Sequence, residues 1–192
     1  MDPSLDRISV IGTSCSGKTT LARRLAALLD APHVEMDALY WGPDWTPRPS
    51  SEFRGRLEES LSRPRWVICG NFNRSRDLSR DVILSRATAV IWLNYWLPLI
   101  FGRALKRTTL RVMTGEQLYS GNRETLRDTF LRRDSILLWV LTSHRRRSRW
   151  SRELFDGQEY PHVRRIEFHQ PKDTEAFLRS IKIRRSADVI AN

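Results

Sequence analysis

Residues 12–19 read Gly-Thr-Ser-Cys-Ser-Gly-Lys-Thr and match the pattern Gly-x-x-x-x-Gly-Lys-Ser/Thr at every fixed position. In this pattern the glycines let the backbone curl around phosphate groups with its N–H groups pointing inward. The lysine, here Lys18, reaches the β- and γ-phosphates, and the hydroxyl of Thr19 is the expected Mg²⁺ ligand. The stretch therefore predicts a site for ATP and its magnesium ion.

The sequence on either side has the context that this pattern requires. Residues 8–11 form a short apolar run typical of a buried strand, and leucines recur at helical spacing from Lys18 onward. The positive end of the helix dipole would then point at the phosphates. We expect the nucleotide to be bound by Gly12, Thr13, Ser14, Cys15, Ser16, Gly17, Lys18, Thr19 and Thr20.

Further apolar runs alternate with helical patterns along the chain. Strands are predicted at residues 33–37, 65–69, 88–93 and 163–168, and helices at 51–61, 99–113, 125–144 and 174–183. The alternation predicts an α/β fold, in which a five-stranded parallel sheet carries helices on both faces.

The length of 192 residues has room for one substantial domain, which we place at residues 1–185 with a disordered tail at 186–192. No apolar run is long enough to cross a bilayer, which argues against a membrane partner. With two cysteines and no signal-peptide pattern, the expected location is cytoplasmic. The sequence leaves the oligomeric state open.

The net charge of +11 is concentrated in one segment. Residues 103–152 hold thirteen basic and four acidic side chains, which is +9 of that total. Such a concentration of positive charge predicts an anionic partner, either a polyphosphate or a nucleic acid. A basic face exposed to solvent has the same composition.

Beyond the loop at residues 12–19, the whole chain resembles a known family. Its plan is similar to that of the nucleoside-monophosphate and small-metabolite kinases, and more closely to adenylate kinase-like proteins also described as DNA topology modulation (FlaR-like) proteins. The segments that carry the resemblance are residues 12–20, 33–37 (HVEMD), 41–47 (WGPDWTP), 66–71 (WVICGN), 76–78 (RDL), 92–95 (WLNY), 121–126 (GNRETL), 133–139 (RDSILLW) and 144–147 (HRRR). The resemblance implies a P-loop NTPase three-layer sandwich, similar to nucleoside-monophosphate kinases, with a helical lid at about residues 103–150.

The resemblance also implies roles for individual side chains. Asp37, expected at the end of the second strand, would contact Mg²⁺ or orient the acceptor hydroxyl, with Glu35 beside it. Arg76 would bind the acceptor phosphate. The implied catalytic residues are Lys18, Asp37, Arg76 and the lid arginines Arg123, Arg127 and Arg133, and the implied metal ligands are Thr19 and Asp37.

Weaker expectations concern the walls of the site. Arg103 and Arg107 lie four residues apart on one helix face of the lid segment. Residues 169–172 fall where related kinases hold adenine. Aromatic side chains that would wall an acceptor pocket, or pack a loop onto the domain, are Trp41, Trp45 and Phe72.

Two positions depart from the group's pattern. The group usually has Asp where this chain has Cys69 and Asn94. A thiol is a poor ligand for a hard cation at neutral pH, which argues against turnover more than against nucleotide binding. Cys15 and Cys69 are also expected near each other, either as two reduced thiols or as a pair that closes the site on oxidation.

These observations favour an ATP-dependent kinase that transfers the γ-phosphoryl group to a nucleotide or another small acceptor. One alternative is a nucleotide-binding module with little or no transfer activity, suggested by Cys69 and Asn94. Another is a nucleic-acid-binding protein that uses residues 103–152, which is less favoured. The acceptor does not follow from the sequence.

Overall fold

The computed structural model describes residues 5–71, 78–114 and 136–190. Its strands are β1 (Arg7–Gly12), β2 (His33–Glu35), β3 (Trp66–Cys69), β4 (Ala89–Leu93) and β5 (Arg164–Phe168). Its helices are α1 (Lys18–Leu29), α2 (Met36–Tyr40), α3 (Ser50–Ser60), α4 (Leu78–Leu84), α5 (Leu97–Thr114), α6 (Ile136–Asp156) and α7 (Pro171–Ile190), and a short 3-10 turn covers Pro43–Trp45.

The strands form one five-stranded sheet in the order β2-β3-β1-β4-β5 within the described residues. Each neighbouring pair is parallel, as the registers of β1 with β3 and with β4 show. The strand that leads into the loop at residues 12–19 is therefore the central one. The predicted five-stranded parallel sheet is confirmed.

Helices cover both faces of the sheet because alternate residues of each buried strand point to opposite sides. In β3, Val67 and Cys69 pack into the layer of α1, α7 and the start of α5. Trp66 and Ile68 pack into the opposite layer, with α3, α4 and the C-terminal part of α6. The sheet and these two layers make the three-layer sandwich.

The second strand is shorter than expected, and the prediction that it runs to Asp37 is wrong. β2 ends at Glu35, and Asp37 lies exposed in the first turn of α2. Met36 is buried, so the alternation of buried and exposed side chains continues across the junction. The alternation alone could not distinguish the strand end from the helix start.

Two helices are longer than expected. α6 continues to Asp156 beyond the predicted end at residue 144, because Ser143, Ser151 and Leu154 keep a buried stripe at helical spacing through the arginine run. α7 begins at Pro171, a favourable residue for a first helical position, and continues to Ile190. Residues 186–190 of the expected disordered tail are therefore helical. No helix in the described ranges is both long and apolar enough to span a membrane.

Candidate active site

The loop between β1 and α1 has the backbone shape that its glycines were expected to permit. Gly12 has φ +148°, and a Cβ there would lie 2.8 Å from the carbonyl oxygen of Leu93 and 2.9 Å from Ser16 Oγ. Asn71 Oδ1, at the end of β3, accepts a hydrogen bond of 3.0 Å from the Gly12 N–H. The neighbouring strand thus holds the first turn of the loop in place.

Lys18 folds back onto this loop. Its Nζ donates to the carbonyl oxygens of Gly12, at 2.9 Å, and Thr13, at 3.1 Å. Burial and, to a lesser extent, the positive charge of Arg147 lower the pKa of Lys18 to about 8, while Asp37 acts in the opposite direction. The ammonium group is held where a phosphate oxygen could replace the two carbonyls.

A cleft of about 830 Å³ opens beside the loop. It lies outside the C-terminal ends of β1 and β3, where ligands of open α/β sheets bind. Most of the expected nucleotide-binding residues line it, together with Trp41 and Trp45, whose rings meet edge to face at 5.8 Å. The cleft-lining residues of the loop are Ser14, Cys15, Ser16, Gly17, Lys18, Thr19 and Thr20.

Asp37 lines this cleft although it lies on α2 rather than on β2. Its carboxylate acts on the pKa of Lys18 and also on that of Arg147, from the middle of α6. Burial lowers the pKa of Arg147 and the charge of Asp37 raises it. The structure therefore brings an acid and two basic side chains from three elements close enough to interact electrostatically.

Arginines of α5 form a second cationic wall. Arg103 Nη1 donates to the Ser16 carbonyl oxygen at 2.9 Å, and its guanidinium lies over the Tyr95 ring at 5.4 Å. Arg107 and Arg111 follow at four-residue steps and also line the cleft. The four-residue spacing of Arg103 and Arg107 is visible in the sequence, and Arg111 continues it.

The first turns of α7 close the cleft on the side of α1. Pro171 lies within the segment that was expected to hold adenine and lines the cleft, as do Thr174, Glu175 and Leu178 beyond it. Glu175 Oε2 accepts a hydrogen bond of 2.8 Å from Arg24 Nη2, and the two side chains form an exposed ion pair between α7 and α1.

Cys69 occupies the end of β3 next to the loop. Its thiol lies 3.7 Å from the Thr19 hydroxyl oxygen and 3.3 Å from His33 Nε2. Burial raises the pKa of Cys69 to about 11, so the thiol is neutral at physiological pH. Neither Cys15 nor Cys69 forms a disulfide, and both line the cleft.

Glu35 lines the same cleft as Asp37 and has basic partners of its own. Its Oε1 accepts a hydrogen bond of 2.6 Å from Arg23 Nη2, and it lies 3.8 Å from His33 Nδ1. Burial and, to a lesser extent, both acids raise the pKa of Cys69, so their action together stays a prediction.

Asn94 has a structural partner rather than a metal-binding one. Its amide Nδ2 donates to Glu167 Oε1 at 2.8 Å, and Arg152 of α6 forms two hydrogen bonds to the same carboxylate. Arg152 also lies over the Trp92 ring at 4.8 Å. This network ties α6 to the ends of β4 and β5.

Two side chains that line the cleft are suitable ligands for a magnesium ion. The Thr19 hydroxyl and the Asp37 carboxylate supply the oxygen ligands that Mg²⁺ prefers, and both line the cleft. The neutral thiol of Cys69 is not such a ligand. The donor set fits a magnesium ion that is held mainly by phosphates and water.

Several expected residues lie outside the described part of the chain: Phe72, Arg76, Arg123, Arg127 and Arg133. Conversely, no role for Arg147 follows from the sequence, although it belongs to the run at residues 144–147. It lies four residues from each of Ser143 and Ser151, which are buried in the structure, but two serines form no apolar stripe that would reveal this face in the sequence.

Solved structures of known proteins share this architecture. Shikimate kinase from Bacteroides thetaiotaomicron has a TM-score of 0.55 and 14% identity, covering 94% of this chain and 98% of that one. Shikimate kinase from Acinetobacter baumannii, solved in complex with shikimate, has a TM-score of 0.52 and 18% identity, covering 95% and 94%. No protein-family model matches the sequence, and no curated protein matches it. The chain has the P-loop kinase fold of these two structures.

Proposed function

We propose that this protein is a kinase that transfers the γ-phosphoryl group of ATP to a small acceptor, a nucleotide or another hydroxylated molecule. The observation that carries the proposal is that Lys18 and Asp37 line one cleft and that Arg147 of α6 interacts electrostatically with both. Phosphoryl transfer needs cations around the moving group and an acid that orients the attacking hydroxyl. This trio supplies both.

The loop would hold the phosphates through its backbone N–H groups and the dipole of α1. Lys18 would exchange its two carbonyl partners for phosphate oxygens. The buried hydroxyl of Ser16 has no hydrogen-bond partner among the described residues, which fits a loop completed by a ligand.

In the transfer step, the acceptor oxygen would attack the γ-phosphorus while the bond from that phosphorus to the bridging oxygen of ADP breaks. Asp37 would accept the hydroxyl proton, and Arg147 would neutralise charge on the transferring group. A magnesium ion held by Thr19 and Asp37 would neutralise the phosphates when bound. Arg76 remains proposed for the acceptor, and Arg123, Arg127 and Arg133 for the transferring group.

Two comparisons support a small acceptor. The Acinetobacter baumannii protein of this fold was solved with shikimate, a small molecule. The resemblance of the sequence to adenylate kinase-like (FlaR-like) proteins is the reason to include nucleotides among the candidate acceptors. Trp41 and Trp45 line the cleft near Asp37 and would wall the acceptor on one side.

The test measures ADP release from Mg·ATP across a panel of nucleoside monophosphates and small hydroxylated metabolites. We expect acceptor-dependent turnover that Lys18→Ala and Asp37→Asn each lower by about 100-fold or more. Lys182→Ala is the matched control, because Lys182 is exposed on α7 away from the cleft. Turnover that survives Lys18→Ala would contradict the proposal.

A nucleotide-binding module without transfer activity is the second candidate, and Cys69 is the observation that favours it. Its neutral thiol contacts the Thr19 hydroxyl at the place where an acid would steady a magnesium ion. A native protein that binds ATP without turnover, together with a Cys69→Asp variant that gains turnover, would establish this second function.

A further inference from the structure

One hydrogen bond from a distant helix restrains the backbone of the phosphate-binding loop. Arg103 Nη1 of α5 donates to the carbonyl oxygen of Ser16 at 2.9 Å. A trans peptide directs its C=O and its N–H to opposite sides. Fixing the Ser16 carbonyl oxygen therefore also fixes the direction of the Gly17 N–H, which belongs to the same peptide group.

The residue that follows this peptide bond restrains it little. Gly17 is the N-cap of α1, with φ +100°, and as a glycine it has no side chain with which to cap the helix. Arg103 Nη1 lies close to it, since a Cβ at Gly17 would be 3.4 Å away. Glycine has the most backbone freedom to lose, and N–H groups stabilise an anion best when they are already directed at it. A restraint from outside the loop should therefore affect phosphate binding.

Arg103 is itself held in place by Tyr95. The guanidinium carbon lies 5.4 Å from the centre of the Tyr95 ring, within the range of a cation–π contact. Tyr95 is 3% exposed, and its hydroxyl oxygen lies 2.5 Å from Thr174 Oγ1 of α7. The Tyr95 carbonyl oxygen lies 3.3 Å from His144 Nε2 of α6. The residue that supports Arg103 is thus fixed to two further helices.

We propose that Arg103 is a positioning residue: supported by the Tyr95 ring, it fixes the Ser16–Gly17 peptide so that the Gly17 N–H is directed at a phosphate before one binds. Lys18 would contact the phosphates itself, whereas Arg103 would act through the loop backbone. That the phosphate belongs to a nucleotide rests on the proposed function. The restraint on the loop in the free protein does not.

The first test measures the loop in the free protein, where no ligand contributes. Relaxation of ¹⁵N gives the order parameter of the Gly17 amide. We expect a value near that of rigid backbone, about 0.85, in the native protein and a value below about 0.6 in Arg103→Ala. Lys106→Ala is the control, because Lys106 is exposed on α5 and its replacement removes the same charge. A rigid Gly17 amide in a folded Arg103→Ala variant would overturn the proposal.

The second test measures binding by calorimetry with ADP and with inorganic pyrophosphate, which has no base or ribose and so reports on the loop. Both should bind about 10- to 100-fold more weakly to Arg103→Ala, and within about twofold of the native affinity to Lys106→Ala. Equal losses in the two variants would overturn the proposal. If Lys18→Ala bound both probes as tightly as the native protein, the proposed nucleotide site would be contradicted, and the relaxation measurement would still decide the role of Arg103.

A variant of Tyr95 separates positioning from a direct contact with the ligand. Tyr95→Leu removes the ring but no charge, and it should weaken pyrophosphate binding by about 3- to 30-fold. In the Arg103→Ala background the same change should cost less than about twofold more, because the two residues act through one contact. A full additional loss in the double variant would show that Tyr95 does not act through Arg103 and would contradict the proposed support.

Discussion

The ammonium group of Lys18 titrates much closer to neutral pH than an exposed lysine does. Desolvation and the charge of Arg147 lower its pKa to about 8, because the charged form loses water and meets a like charge. The phosphates of a bound nucleotide would raise the pKa of Lys18 again, because they favour its charged form. The pH dependence of binding therefore reports directly on this one residue.

We predict that ATP affinity is constant between pH 7 and 8 and falls as the pH rises above about 8. There the free protein has lost the Lys18 proton and must take one up to bind, which costs up to about tenfold in affinity per pH unit. Calorimetric titration with ATP across this pH range measures the change in affinity. The Lys18→Arg variant should show a flat profile, and a flat profile in the native protein would contradict the assigned role.

Arg147→Ala tests the cation of α6 that interacts electrostatically with Lys18 and Asp37. Loss of a charged donor at the transferring group should lower kcat by about 100-fold while ATP affinity changes little. Arg149 is the control, because it is exposed on the same helix two residues further on. An equal loss in Arg149→Ala would show that the effect comes from the net charge of α6 and not from the cleft.

At the scale of elements, the orientation of α6 depends on a polar network at the ends of β4 and β5. Glu167 accepts hydrogen bonds from Asn94 and from Arg152, and Arg152 also covers the Trp92 ring. Arg147 lies five residues before Arg152 on the same helix, so this network fixes the position of the helix that carries it. The amide of Asn94 is needed as a donor, which gives a structural reason for its departure from aspartate.

Asn94→Asp should therefore lower the free energy of unfolding by about 1–2 kcal/mol at neutral pH, since two carboxylates would face each other without a donor. Urea unfolding measures the change. Adding Glu167→Gln to Asn94→Asp restores a hydrogen-bond donor between the two positions and should recover most of the lost stability. A double variant that is no better than Asn94→Asp alone would count against this contact.

The junction of β3 with α2 depends on a glycine. Gly70 has φ +156°, and a Cβ there would lie 2.5 Å from Met36 Cβ. Gly70→Ala should thus destabilise the protein by about 2 kcal/mol or more. Gly55 has open space around it in α3, so Gly55→Ala should instead stabilise by about 0.5–1 kcal/mol. Similar destabilisation of both variants in thermal unfolding would contradict the close approach at Gly70.

For the whole molecule, the features that the sequence predicted well are those coded locally. The phosphate-binding loop is contiguous, and β1, β3 and β4 are short, largely apolar runs of a kind typical of buried strands. The end of β2 was misplaced because Met36 stays buried across the junction. Arg147 acquired no role because its partners lie on other elements, and only the packing of α6 brings it near Lys18.

The central claim is that the cleft moves a phosphoryl group to an acceptor rather than to water. The most direct measurement incubates the protein with Mg·ATP labelled at the γ-phosphoryl group and the acceptor panel, and then separates the labelled products. We predict label on one acceptor, in amounts equal to the ADP formed, and none of it in the Lys18→Ala variant. Label that appears only as inorganic phosphate, or stays in ATP with every acceptor, would contradict the account.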